Sequence, residues 1–330
     1  MSGRYNRQEL IPDWDQAKLT NAKVLVLGVG ATGSFLATSL VLSGVGKIIL
    51  VDFDTIELSN LNRQLLFTPN DIGKNKAEVA AKKLSKMNPD IEIIPYSKAM
   101  ETMPKELTQD ITLIASCLDS FRGRRWANSF ALNKKVPLVS SGIYAFLGNV
   151  QTIIPYKTPC FECQPLISQE KLSQACTPLG EARKDQKEEK KEAPLPSVST
   201  ISSIISGLMS QEVLKLLLNI GKPIENYLFY DGLHNNFTEL PLQKNTNCPI
   251  CGDQYKLQNA SAIVFKGEKV LDFKNRIALA FGMANPRVML KGKFLTEESE
   301  MICEDNAKLY VIDERLAAPI VLNIVVQEEL

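Results

Sequence analysis

Short apolar runs alternate with stretches of helical period along the first half of the chain. Lys23–Gly28 (KVLVLG) and Lys47–Asp52 (KIILVD) are nearly all apolar, which is typical of strands covered on both faces. Each is followed by helical spacing, over Thr32–Ser43 and Lys74–Asn88 respectively. The alternation continues through strands at Ile91–Pro95, Ile111–Ser116 and Pro137–Ser140 and a helix over Arg122–Asn133. This rhythm predicts a doubly wound α/β domain with a mostly parallel sheet, in preference to a mixed α+β layer.

The second half of the chain changes character twice. Residues 168–196 hold a low-complexity run of charges closed by prolines, which predicts a flexible loop or a solvated helical arm. Pro196–Leu218 then predicts a long apolar helix, and a small separate unit with a helix over Leu271–Phe281 ends the chain. We therefore expect two domains, at 1–258 and 259–330, with the second small enough to be marginal alone.

Composition removes several classes of protein. The 38 Lys and Arg almost balance the 37 Asp and Glu, which argues against a nucleic-acid binder. The N-terminus lacks an apolar h-region and every long apolar run is interrupted, so we expect neither a signal peptide nor a spanning helix, and a cytoplasmic location. The only histidine, His234, is predicted to be structural, which leaves no basis for a histidine triad.

The segment Gly28–Gly33 (GVGATG) has the pattern GxGxxG between a predicted strand and a predicted helix. Gly28 and Gly30 allow a tight turn and close backbone approach, and the helix N-terminus offers N–H groups to a phosphate. Asp52 ends the next strand, where it could accept hydrogen bonds from ribose hydroxyls. These features alone would favour NAD or FAD.

Charged and amide side chains after the second strand favour a triphosphate instead. Asn60, Arg63 and Lys76 could hold phosphate oxygens, since arginine offers a planar fork and lysine a point charge. Asp119 follows the ITLIAS strand at the carboxyl edge, where a Mg²⁺ ligand would be useful. Each charge alone is typical of a solvated surface, but their grouping at strand ends around one glycine loop indicates a site.

Several ordered motifs together resemble one family. They are RYNRQ at Arg4–Gln8, VLVLGVGATGS, GVGKIILVDFDTIELSNLNRQ, GKNKA and the LDS at 118–120. Over about residues 4–253 the chain resembles the ThiF/MoeB/HesA superfamily of ATP-dependent activators, which includes the ubiquitin-activating enzymes. The resemblance implies adenylation, with ATP and Mg²⁺, of the C-terminal carboxylate of a β-grasp protein ending in Gly-Gly.

The resemblance also implies roles for individual residues. Those expected at the nucleotide are Gly28, Gly30, Gly33, Asp52, Asp54, Asn60, Arg63, Gln64 and Lys76. Asp119 is expected on the magnesium, and Arg7 matches an arginine that the family donates across a homodimer. Arg124 is the best match for a further arginine, and Ser120 stands where the family usually has Asn.

The seven cysteines divide into three groups. Cys160-x-x-Cys163 and Cys248-x-x-Cys251 are two knuckles whose four thiolates would make a closed tetrahedral Zn²⁺ site, with a redox pair as the alternative. The resembled family has a zinc site of this kind. The remaining cysteines are Cys117 and Cys303, which we predict to be core thiols, and Cys176.

Cys176 precedes the charged run, where an exposed thiol could reach a substrate. Cys-Thr at this point resembles the active cysteine of ubiquitin-type activators, which takes the acyl group from the adenylate as a thioester. An ordinary loop thiol is the alternative, and the sulfur-carrier branch of the family also has a cysteine nearby. The resemblance makes residues at about 168–196 the loop that crosses the bound modifier tail.

The small C-terminal unit resembles a ubiquitin-like β-grasp, which in eukaryotic-type activators recruits the conjugating enzyme. An unrelated dimerisation or packing module is the alternative. The sequence therefore predicts a homodimeric activating enzyme for a ubiquitin-like modifier, with no nucleic-acid or membrane partner. Three other readings stay open: activation of a sulfur carrier for thiamine, molybdopterin or tRNA thiolation, an NAD-dependent oxidoreductase, and a non-catalytic scaffold.

Overall fold

The computed structural model describes residues 3–163, 196–225, 227–246, 248, 250–252, 261–281, 283, 286–313 and 319–328. The strands of the larger sheet are β1 Lys23–Leu27, β2 Lys47–Val51, β3 Glu92–Tyr96, β4 Leu113–Ser116, β5 Leu138–Tyr144, β6 Leu147–Ile153, β7 Tyr227–Asp231 and β8 Asn236–Leu240. Their order is β3-β2-β1-β4-β5-β6-β7-β8. Strands β1 to β5 run parallel, and β6 to β8 continue the sheet antiparallel. The chain order reverses between β1 and β4, where such sheets open a crevice.

The helices around this sheet are α1 Gln16–Thr20, α2 Ala31–Ser43, α3 Lys76–Met87, α4 Lys105–Thr108, α5 Phe121–Lys134 and α6 Ser199–Leu218. Short 3₁₀ turns lie at Leu58–Asn60, Pro69–Asp71 and Met100–Thr102. Side chains of β1 alternate between two cores, with Val24 and Val26 in one and Leu25 and Leu27 in the other. The central strands are thus buried on both faces, which explains their almost continuous apolar sequence.

Helix α6 is long and apolar enough to cross a membrane by length and composition. It is instead a core helix of the domain. Ile205 and Met209 are fully buried in the core that also contains α2. The Ser206 hydroxyl donates a 2.8 Å hydrogen bond to the carbonyl of Thr32 at the start of α2. The apolar composition of α6 therefore follows from packing against the sheet and α2.

The C-terminal residues form a second sheet with its own core. Its elements are β9 Ser261–Phe265, α7 Val270–Phe281, β10 Arg287–Leu290, β11 Lys293–Phe294, β12 Lys308–Ile312 and β13 Ile320–Gln327. The strand order is β11-β10-β12-β13-β9, and only the β13–β9 pair is parallel. Phe273 and Ile277 of α7 pack in the core beneath this sheet. The predicted strand, turn, helix and strands are present, and assignment as a ubiquitin fold stays a prediction.

Candidate active site

A cleft of about 720 Å³ opens at the carboxyl edge of the parallel strands. Its walls come from the ends of β1, β2 and β4, from β5, and from the first turns of α3 and α5. Eight of the residues expected at the nucleotide or magnesium line it together: Gly28, Gly30, Asp52, Asp54, Arg63, Gln64, Lys76 and Asp119. Residues far apart in sequence are thus brought to one crevice, at the switch point of the sheet.

The glycine loop is shaped by two close approaches. Gly28 has a φ of +86°, and a Cβ there would lie 2.9 Å from the carbonyl oxygen of Cys117. A Cβ on Gly33 would lie 2.0 Å from the carbonyl oxygen of Gly28. Gly33 is not among the cleft-lining residues, so its role is to let α2 pack against the loop. Helix α2 begins after Gly30 with no side-chain cap, which leaves its first N–H groups for a ligand.

Asp52 is held rigidly at the end of β2. Its carboxylate accepts hydrogen bonds from the backbone N–H of Val29 at 2.7 Å and of Asp54 at 2.9 Å. Burial raises the pKa of Asp52, while the charge of Lys76 and these two hydrogen bonds act in the opposite direction. The buried carboxyl keeps acceptor capacity that faces the cleft.

Two of the three expected phosphate ligands, Lys76 and Arg63, line the cleft and differ in how they are held. Lys76 is buried at the start of α3, and its Nζ lies 2.8 Å from Oδ2 of Asp54. Arg63 follows the 3₁₀ turn, and its Nη1 donates to the carbonyl of Ser59 at 2.6 Å and to Oδ1 of Asn62 at 2.9 Å. Both cations line the cleft, which gives that wall positive charge suited to an anionic ligand.

The opposite wall is formed where β4 leads into α5. Asp119 is exposed at this point, and Ser120 accepts a 3.1 Å hydrogen bond from the N–H of Gly123 as the N-cap of α5. A serine in place of the family asparagine is therefore used for capping. Arg124 lines the cleft one turn later, and its Nε donates to the carbonyl of Leu118 at 2.8 Å.

The structure adds cleft residues that sequence reasoning missed. Ser141 and Gly142 of β5 line the cleft, and a Cβ on Gly142 would lie 2.7 Å from Nη1 of Arg124. The Ser141 hydroxyl and Oε1 of Gln64 are buried polar atoms without a hydrogen-bond partner among the described residues. Buried polar groups are normally paired, so these atoms mark positions for ligand contacts.

The structure locates two residues that were expected to be structural. Cys117 packs against one of the two cores, as expected, and it also lines the cleft behind the glycine loop. Desolvation raises its pKa to about 12, so the thiol is protonated at neutral pH and is no nucleophile. His234 was expected to be a satisfied structural residue. It lies exposed in a turn, with Nδ1 2.8 Å from Oδ2 of Asp231.

Two further expected site residues, Asn60 and Arg7, do not line the described cleft, and a third, Cys176, lies outside the described residues. The Asn60 side chain is buried and accepts a 3.0 Å hydrogen bond from the N–H of Glu57 within its own turn. Arg7 is exposed in the N-terminal turns, as a residue donated to a partner subunit would have to be. Cys176 and most of the loop at 168–196 lie outside the described residues.

The four knuckle cysteines form a compact buried cluster. The Sγ atoms of Cys160, Cys163, Cys248 and Cys251 all lie within 4.8 Å of one another. Three of these separations are 3.3 Å, 3.6 Å and 3.9 Å. Bonds of about 2.3 Å in a tetrahedron place the sulfurs of a zinc–thiolate centre about 3.8 Å apart. The cluster therefore fits a tetrahedral metal of zinc size.

The surroundings of the cluster also suit a metal. The N–H of Cys160 donates to Sγ of Cys163 at 3.3 Å, and a Cβ on Gly252 would lie 2.3 Å from the carbonyl oxygen of Thr246. Burial raises the pKa of Cys160, whereas hydrogen bonds from the neighbouring thiols, that of Cys160 first, lower the pKa of Cys163. A bound cation would allow all four thiols to ionise.

Comparison with known proteins places these features in a family. Residues 5–250 match the ThiF family. The sulfur carrier protein adenylyltransferase of Thermus thermophilus is 33% identical over 262 residues, which cover 76% of this chain and 91% of that relative. Ubiquitin-like modifier-activating enzyme 5 of Drosophila mojavensis is 34% identical over 269 residues, which cover 76% of this chain. The alignment covers 63% of the Drosophila enzyme, less than two thirds of its length.

Solved structures point to the same fold. A crystal structure of E. coli MccB with ATP has a TM-score of 0.62 and 25% sequence identity, over 76% of this chain and 75% of that chain. A crystal structure of PaaA has a TM-score of 0.57 at 23% identity, over 73% of this chain and 74% of that chain. With its glycine loop, flanking cations and cysteine cluster in place, the chain belongs to the ThiF family of ATP-using adenylyltransferases.

Proposed function

We propose that this chain activates a ubiquitin-like modifier by adenylating its C-terminal glycine. The observation that carries this proposal is the convergence of glycine loop, Asp52, Arg63, Lys76 and Asp119 on one cleft. In this reaction a carboxylate oxygen of the modifier attacks the α-phosphorus of ATP. An acyl–AMP bond forms, and pyrophosphate leaves.

Each wall of the cleft has a part in this step. The free N–H groups at the start of α2 bind phosphate oxygens, and Asp52 accepts hydrogen bonds from the ribose. Lys76 and Arg63 stabilise the negative charge that develops on the phosphates as pyrophosphate departs. Asp54 keeps Lys76 in place before ATP arrives, since their charged groups lie 2.8 Å apart.

Asp119 is the residue that would hold Mg²⁺. It is an exposed carboxylate at the cleft wall, and carboxylate oxygen is the ligand type that Mg²⁺ prefers. When bound, the ion would neutralise part of the charge on the phosphates.

The second step of the proposal uses Cys176. Its thiolate attacks the acyl carbon of the adenylate, AMP leaves, and the modifier is held as a thioester. The C-terminal unit would then present the modifier to a conjugating enzyme, as a ubiquitin-fold domain. Homodimerisation would supply Arg7 of one subunit to the nucleotide of the other. The similarity to ubiquitin-like modifier-activating enzyme 5 supports this reading.

Activation of a sulfur carrier is the second candidate function. It is favoured by the Thermus sulfur carrier protein adenylyltransferase, of which the alignment covers 91%. The same cleft would form the adenylate. A sulfur nucleophile from a separate donor would then attack the acyl carbon, AMP would leave, and the carrier would end in a thiocarboxylate. The two functions therefore differ after the first step.

One experiment tests both steps. Purified protein is incubated with ATP, Mg²⁺, labelled pyrophosphate and each Gly-Gly-ended small protein of the source organism. We expect modifier-dependent ATP–pyrophosphate exchange, and NAD should not compete with ATP. Absence of exchange with every candidate would contradict adenylation.

The cysteine step is read in the same samples on non-reducing gels. We expect a thiol-sensitive adduct that disappears in Cys176→Ala, whereas Cys303→Ala, the control, retains it. Exchange that occurs without any adduct, together with thiocarboxylate formation when a sulfur donor is added, would instead favour the sulfur-carrier function.

A further inference from the structure

Helix α5 contacts both the cleft and the cysteine cluster. At its start, Ser120, Arg122, Gly123 and Arg124 line the cleft. Its next turns pack against the Cys160–Cys163 knuckle. A single short helix therefore joins two sites that the sequence gives separate roles.

Three contacts fix the knuckle to this helix. Oδ1 of Asn128 accepts a 3.1 Å hydrogen bond from the N–H of Phe161, and the ring of Phe161 lies 6.3 Å from that of Phe121. Nε of Arg125 lies 2.9 Å from Oε1 of Glu162. The contacts involve residues 121, 125 and 128, so they follow one face of the helix.

The Arg125–Glu162 ion pair is the contact most sensitive to movement. The two side chains are only 7% and 4% exposed, so neither charge can turn to water if the other moves away. Glu162 lies between Cys160 and Cys163 in the chain, and metal ligation would fix its backbone from both sides. Arg125 follows directly after Arg124 of the cleft wall. A shift at the cluster would thus reach the cleft wall through this ion pair, beside the two contacts of Phe161.

We infer that the Arg125–Glu162 pair couples metal occupancy of the cysteine cluster to nucleotide binding in the cleft. Arg125 and Glu162 are positioning residues in this scheme, since neither lines the cleft. With metal bound, the knuckle holds Glu162 in place, and α5 with the residues just before it presents Arg124 and Asp119 to the nucleotide. Without metal, the buried pair loosens and that wall is no longer preorganised. The inference rests on the proposed nucleotide cleft.

The test measures binding of a non-hydrolysable ATP analogue by calorimetry, in zinc-loaded and chelated protein. Coupling between two protein sites typically changes the affinity for a ligand by about five- to 150-fold. We expect the analogue to bind about tenfold more weakly after chelation. In Glu162→Gln the zinc-loaded protein should already bind the analogue weakly, and chelation should add little. Circular dichroism establishes that each sample is folded. Zinc content, which should stay near one ion per chain in the loaded variant, establishes whether each sample holds metal.

A reciprocal measurement needs only the zinc-loaded protein. Coupling between two binding equilibria is mutual, so the analogue must raise zinc affinity by the factor by which zinc raises analogue affinity. At equilibrium with a coloured chelator, the native chain should therefore retain more zinc when the analogue is added. In Glu162→Gln the analogue should leave the amount of retained zinc unchanged. This arm remains readable even if the metal-free protein unfolds.

Glu212→Gln is the matched control. Glu212 is another buried carboxylate. It pairs with Lys215, accepts hydrogen bonds from Thr152 Oγ1 at 3.0 Å and from the N–H of Ile224 at 2.7 Å, and is not among the described residues that line the cleft. It should lower stability and leave the coupling intact. The inference would be overturned if folded protein bound the analogue equally well with and without zinc. It would also be overturned if the analogue still increased zinc retention in Glu162→Gln. No analogue binding by any form would overturn the proposed function instead.

Discussion

Lys76 is the single side chain on which nucleotide binding should depend most. It is buried at the start of α3 with its charge beside Asp54. Hydrogen bonds to charged groups contribute about 1.5–3 kcal/mol, so Lys76→Ala should weaken ATP binding by about ten- to 150-fold. Calorimetric titration measures this. Lys74→Ala is the control, because Nζ of Lys74 donates to the carbonyl of Asn70 and Lys74 does not line the described cleft. The affinity of this variant for ATP should match that of the native chain.

Asp71 should make stability depend on acidity. It is buried, caps its 3₁₀ turn through Thr68 and contacts Nζ of Lys83. Although burial opposes ionisation, hydrogen bonds from Lys83 and Thr68 lower the pKa of Asp71 from 3.8 to about 2. Because the folded pKa is below the unfolded one, its stabilisation is complete above about pH 4 and is lost towards pH 2.

Denaturant unfolding of Asp71→Asn across that pH range checks this expectation. The variant should be less stable than the native chain by about 2 kcal/mol at pH 7, and the difference should shrink as the pH falls towards 2. Asp90→Asn is the control, since Asp90 is exposed and lies 3.9 Å from Nε of Arg4. A difference in stability that stays constant with pH would contradict this role of Asp71.

At the scale of elements, the junction of β1 and α2 tolerates no added atom. A Cβ at position 33 would lie 2.0 Å from the carbonyl oxygen of Gly28, so Gly33→Ala must push α2 off the loop. Overpacking costs about 1–3 kcal/mol, and ATP affinity should fall with the melting temperature. Gly207→Ala is the opposite control: a Cβ there meets no atom of the described residues within 4 Å, and alanine should stabilise α6 by about 0.5–1 kcal/mol. Thermal melts of both variants test the pair.

Local pattern was enough to find most elements of the larger sheet. The apolar runs predict β1 and β2 to within a residue, because strands buried on both faces need an unbroken apolar sequence. The same pattern indicated strands in residues 141–165 and 227–242 but could not give their antiparallel pairing or the strand order, since pairing depends on contacts between distant residues. It also missed β13, whose partner β9 lies at the other end of the small unit.

Some residues of the candidate site could likewise be predicted from the sequence, and others could not. Motif residues such as Asp52 and Lys76 were predicted, because their chemistry is visible in the sequence after each strand. Ser141 was missed, because nothing in the local sequence distinguishes a serine that lines a cleft from any other serine in a strand. For Cys117 the core contact was predicted and the cleft contact was missed, because periodicity cannot tell the last residues of a strand from the edge where the crevice opens.

At the scale of the whole molecule, the proposed division of labour predicts the result of a truncation. Ending the chain after residue 258 retains both cysteine knuckles and every residue that lines the cleft. The shortened chain should keep ATP–pyrophosphate exchange within about twofold, since no cleft contact is lost, and should fail to pass the modifier to a conjugating enzyme. Assay of both steps on one preparation checks this. Loss of exchange in a truncated chain that remains folded would contradict the assigned boundary.

The separate core of the C-terminal sheet has a thermodynamic consequence. Its buried residues, among them Phe273 and Leu322, form a cluster distinct from the two that flank the larger sheet. Cooperative unfolding follows shared packing, so differential scanning calorimetry should record two endotherms, and a single melting temperature would describe neither. Chelation of zinc should move only the transition of the larger sheet, whose core contains the four cysteines. On heating, the larger unit, which holds the cleft and the cysteine cluster, would thus unfold independently of the small C-terminal unit.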